Sequence, residues 1–108
     1  MLVAATLAGL LFVAAESRPD LEQGQALARA YCAGCHAVGR TGSSPRRNAP
    51  PFRDLHLRYP VESLAEALAE GIMSGHPEMP RFHFFEGEIE SFVAYLKSLE
   101  VPPDARSK

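Results

Sequence analysis

The run Tyr31-Cys32-Ala33-Gly34-Cys35-His36 sets two thiols three positions apart and puts an imidazole directly after the second. This C-x-x-C-H pattern suits covalent attachment of haem, with Cys32 and Cys35 each bonding one side arm of the ring and His36 ligating the iron. Ala33 and Gly34 are small enough for the backbone to bend tightly along the edge of a flat macrocycle. Three plainer uses of the same residues compete. A thioredoxin-like redox pair wants a βαβ context, and no strand-like run precedes Cys32. A zinc site needs about four ligands, whereas the chain has two cysteines and no H-x-H pair beside them. A disulfide between Cys32 and Cys35 would close a loop too short to stabilise much.

The chain has 108 residues, enough for one small domain that buries little surface and gains from an internal staple. A covalent haem would be such a staple, a large apolar slab for short helices to pack around. Net charge is −2 and the pI about 6.1, which gives no footprint for nucleic-acid binding. Nine of the eleven basic residues are Arg and only Lys97 and Lys108 are Lys, so a lysine ring for docking onto an acidic partner is absent.

Residues 1–15 carry no charge and are apolar or small throughout. They are too few for a usual membrane span of roughly 20 residues. They match the apolar region of a secretory signal, with Val13-Ala14-Ala15 as its cleavage site. No basic residue precedes that region, so the alternatives are a start further upstream or a retained N-terminal anchor, with cleavage preferred. The expected organisation is a signal or anchor at 1–15, a linker at 16–20, one domain at 21–101 and a flexible tail at 102–108.

Asp20 predicts the N-cap of a first helix running from Leu21 to about Cys32, with Leu21, Gly24, Leu27, Ala28 and Tyr31 inward. Gly24 in mid-helix costs about 1 kcal/mol relative to Ala, which is explained if another helix approaches closely there. Residues 37–51, rich in Gly, Ser and Pro, predict a loop in which Arg46 and Arg47 are solvated charge. Phe52 and Leu55 return to the core. A second helix is predicted from about Val61 to Gly71, with Val61, Leu64, Leu68 and Ile72 on one side. A second loop spans Met73 to Phe85. A last helix runs from Glu86 to about Leu99, with Ile89, Phe92, Val93, Leu96 and Leu99 inward and an acidic first turn suited to the helix dipole. No run reads as a strand, and the predicted class is all-α: three main helices and loops around one covalently bound haem.

An iron held by His36 needs a sixth ligand, and the candidates are Met73, Met79, His56, His76 and His83. Met79 stands in His76-Pro77-Glu78-Met79-Pro80, where the two prolines hold the backbone in a stiff, non-helical arch. That restraint favours Met79 as ligand, with His76 second. Met73 reads as a core gap-filler, and His56 and His83 as partly exposed polar residues.

With C-x-x-C-H near the start and Gly75-His76-Pro77-Glu78-Met79-Pro80 downstream, the chain from about Leu21 to Leu99 resembles the class I c-type cytochromes, and most of all the short bacterial ones. Gly24 matches the family glycine where first and last helices cross, and Tyr95 and Leu96 match the residues that meet it. Ala49-Pro50-Pro51-Phe52 looks like the family motif in which a proline carbonyl accepts the hydrogen bond of the axial histidine, so the resemblance makes Pro50 the residue that orients His36. It also implies export, because members of the family receive haem outside the cytoplasm. The chain departs from the family in having no Trp to bond a haem propionate. That role falls to Tyr59, Arg53 or Arg58, unless these arginines merely cover apolar surface with their stems.

The expected function is that of a periplasmic mono-haem electron carrier, not an enzyme, serving unidentified redox protein partners. Nucleic acid is not an expected partner, and the membrane is one only if the N-terminal segment is retained. Three rival readings stay open at this point: a haem enzyme or sensor whose sixth ligand dissociates, a haem-free thiol or metal module, and an electron-transfer subunit of a larger dehydrogenase or oxidase.

Overall fold

Asp20 starts the first helix by accepting the backbone N–H groups of Glu22 and Gln23 at 2.9 and 3.2 Å. These are two of the donors that a helix start leaves without partners, and helix α1 accordingly occupies Leu21–Tyr31. The computed structural model describes Gly9 and residues 19–71 and 78–100. After α1 come a 3₁₀ helix at Phe52–Leu57, helix α2 at Ser63–Glu70 and helix α3 at Glu86–Glu100. No strand occurs among the described residues, and the fold is the small all-α one that the sequence predicts. Most of the leader, Ile72, Met73, His76, Pro77 and the tail lie outside the described residues.

The 3₁₀ helix has no counterpart in the sequence-based expectation. Pro51 caps it with a carbonyl that accepts the Asp54 N–H at 3.0 Å, and Leu55 does the same for Arg58. In a 3₁₀ turn residues i and i+3 share a side, which is how Phe52 and Leu55 both become buried. Helix α2 begins two residues later than expected because Pro60 and Val61 close a turn onto Ser63 and Leu64, each at 3.0 Å. It ends where predicted, at Gly71, whose φ of +72° is the left-handed conformation that a helix stop uses.

Helices α1 and α3 cross at Gly24. A Cβ there would come within 2.6 Å of the Tyr95 Cβ and closer still to the Ser91 carbonyl oxygen. Ser91 thus joins Tyr95 at the crossing, and Leu96 is completely buried in the core. Polar contacts secure the crossing. The Asp20 N–H donates to Ser91 Oγ at 3.1 Å, and the Tyr95 hydroxyl donates to the Val38 carbonyl at 2.6 Å. Around this pair the core gathers Leu27, Ala28, Phe52, Leu55, Leu68 and Phe92. Leu21 and Tyr31, expected inward, are about half exposed. Tyr31 lines a cavity, which leaves part of its ring open.

Candidate functional site

Beyond Tyr31 the chain coils back on itself. Cys32 and Ala33 both donate to the Ala28 carbonyl, at 2.9 and 3.1 Å, and Cys35 and His36 both donate to the Cys32 carbonyl, at 3.2 and 2.9 Å. The coil brings Cys32, Cys35 and His36 onto the wall of one cavity of about 640 Å³. Gly34 lines it too, and a side chain at that position would meet no protein atom within 4 Å. Cys32 and Cys35 are not joined in a disulfide. Before the haem is attached, burial, helped by the neighbouring Cys35, pushes the Cys32 thiol up to about 11.

The Nδ1 of His36 lies 2.7 Å from the carbonyl oxygen of Pro50. A carbonyl can only accept, so Nδ1 carries a proton, and in the neutral ring the lone pair is on Nε2. The imidazole leans on the Phe52 ring, with centroids 5.0 Å apart. The loop that supplies Pro50 is itself anchored. Arg46 N–H donates to Cys35, Ala49 N–H to Arg46 and Phe52 N–H to Ala37, at 3.0, 3.0 and 2.9 Å.

The rest of the wall is largely aromatic. Phe52 and Phe84 both pack edge-on against Phe92, at 5.9 and 5.6 Å, and Tyr31 stands 5.7 Å from both Phe82 and Phe84. Phe82 and Phe84 share a side, their centroids 6.3 Å apart, while Arg81, His83 and Phe85 between and beside them are exposed. Met79, half-buried, lines the cavity together with Pro80. Tyr59 and Arg58 line it as well, and burial raises the Tyr59 phenol above its ordinary pKa. Arg53 is not on the wall, and its Nη1 is buried without a hydrogen-bond partner. His56 and His83 are exposed and away from the cavity. Two apolar-walled sides, two thiols, an imidazole with a free lone pair and a thioether form a donor set that fits a haem.

Residues 19–96 match the protein family described as cytochrome C oxidase, cbb3-type, subunit III. The chain belongs to the c-type cytochromes. A relative, cytochrome c-552 of Bradyrhizobium diazoefficiens, is 32% identical over 80 residues, covering 74% of this chain and 75% of the relative. No solved structure matches the chain. As a c-type cytochrome the protein binds haem c covalently, and Cys32 and Cys35 fit the attachment pattern. Proteins of this family transfer electrons to and from redox protein partners and are generally exported. No helix among the described residues is long and apolar enough to cross a membrane.

Several wall residues of this cytochrome escape sequence reasoning. Arg46, exposed as expected, also forms an ion pair with Glu78 at 2.7 Å, and both line the cavity. No local pattern announces a pair formed between two loops. Phe82 and Phe84 do carry a signal, the alternation of apolar and polar residues through Arg81-Phe82-His83-Phe84, which a loop assignment passes over.

Proposed function

We propose that this cytochrome is an exported, periplasmic one-electron carrier, with His36 and Met79 as axial ligands of a haem held by Cys32 and Cys35. The supporting observation is a single cavity lined by both thiols, by Met79 and by a His36 ring whose Nδ1 is committed to the Pro50 carbonyl at 2.7 Å. When bound, the haem supplies reversible one-electron exchange between ferric and ferrous iron. Pro50 holds the imidazole in the tautomer and orientation that leave Nε2 to the metal. Met79 offers a neutral, soft sulfur that favours the reduced state and raises the potential relative to two imidazoles. Phe52, Phe82, Phe84 and Phe92 keep water from the cavity, while Tyr59 and Arg58 offer donors for a propionate. With His36 and Met79 both holding the iron, the site would leave substrate no open position, and the protein would act as a carrier, not an enzyme. The apolar run at 1–15 supports export.

The absorption spectrum of the oxidised holoprotein, recorded during a redox titration, tests this reading. A weak long-wavelength iron–sulfur band and a single one-electron step are expected. A water-bound iron at neutral pH would sink it. The family's description favours a second reading, in which the same carrier serves a respiratory chain as a subunit of a larger oxidase. Native electrophoresis of solubilised membranes separates the two, since a free carrier migrates at its own small mass.

A further inference from the structure

We propose that Arg46 and Glu78 form a latch that holds the Met79 segment against the loop carrying Pro50, an inference that rests on Met79 being a haem ligand. Arg46 Nη2 and Glu78 Oε2 are 2.7 Å apart. The arginine belongs to the fixed side of the cavity. Its backbone N–H donates to Cys35 in the C-x-x-C-H coil, and its carbonyl accepts from Ala49, next to Pro50, both at 3.0 Å. The glutamate belongs to the other side and directly precedes Met79. One ion pair therefore joins the segment that supplies His36 to the segment that supplies the sulfur.

A thioether is a weak, uncharged ligand, so its retention depends on how firmly its loop is held. Any contact present in the closed arrangement and lost in the open one shifts the balance between them by its own free energy. Both side chains are partly exposed, 43% for Arg46 and 64% for Glu78, so the contact is modest and screened by salt. The pair thus tunes the closure and does not create it.

Imidazole binding to the oxidised, haem-matured protein reads the latch, because imidazole can bind only where the sulfur has left. Arg46→Gln and Glu78→Gln should each raise imidazole affinity about 1.4- to 5-fold, the range for one exposed ion pair. Each should also weaken the iron–sulfur band, and the double reversal Arg46→Glu with Glu78→Arg should recover much of both. High salt should move the unmodified protein toward the variants and leave the variants themselves nearly unchanged. Single variants that bind imidazole no better than the unmodified protein, while Met79→Ala binds it strongly, overturn the latch alone. A Met79→Ala protein whose imidazole affinity is unchanged overturns the ligand assignment, and the latch falls with it.

Discussion

Gly24 lies so close to Tyr95 that a Cβ added to the glycine would come within 2.6 Å of the tyrosine Cβ, with the Ser91 carbonyl nearer still. Both obstacles are on or next to backbone, so neither can swing away. Replacing Gly24 by Ala gains about 1 kcal/mol of helix propensity. It forces α1 and α3 apart, at a cost of about 1–3 kcal/mol or more. The net expectation for Gly24→Ala is a holoprotein of lower thermal midpoint, measured by circular dichroism, with Gly24→Val worse. A midpoint equal to or above that of the unmodified protein would mean the crossing is looser than described.

Met79→Ala removes the soft sulfur from the cavity wall. The reduction potential should fall, because the thioether is the ligand that favours the reduced state. Met79→His should also lower it, while keeping the metal closed to added imidazole. Potentiometric titration of the three proteins decides this. A potential that is the same in all three would remove Met79 from the ligand set.

Phe92 is buried and holds the rings of Phe52 and Phe84 at 5.9 and 5.6 Å. Truncation to Ala should destabilise the holoprotein by about 3–5 kcal/mol, read from guanidinium unfolding. Because Phe52 in turn supports the His36 ring at 5.0 Å, the same variant should broaden the haem absorption bands. A loss under about 1 kcal/mol would show that the site collapses freely around the gap.

Glu62 and Lys97 pair across α2 and α3. The hydrogen bond from Lys97 lowers the Glu62 carboxyl below its ordinary 4.5, and the same contact raises Lys97 above its ordinary 10.5. A depressed carboxyl adds stability above its unfolded pKa and loses it as pH falls through the folded value. A raised ammonium adds stability below its unfolded pKa and loses it as pH rises through the folded one. The pair therefore acts between these limits. Glu62→Gln should lower the thermal midpoint slightly at neutral pH and low salt, and converge on the unmodified protein in acid. Since both groups are fully exposed, strong salt should erase the difference.

Much of this architecture is legible in the chain because it depends on near neighbours. The Asp20 cap, the Gly71 stop and the inward faces of α2 and α3 follow from propensity, capping and periodicity within a few residues. The C-x-x-C-H run likewise states its chemistry locally, which is why the covalent haem c, like the all-α class, emerges from the sequence by itself. The bare cost of Gly24 even foretells that something must come close.

What came close was settled only in three dimensions. Ser91 sits with Tyr95 at the crossing, Tyr31 lines a cavity beside Phe82 and Phe84, and Arg46 finds Glu78 on another loop. The 3₁₀ helix at Phe52–Leu57 exists because burying Phe52 and Leu55 together requires the three-residue spacing of that turn. Such relations join residues far apart in the chain, and no local preference encodes which distant side chain will be waiting. The packing of α1 on α3, and the loops it draws around one cavity, made those choices.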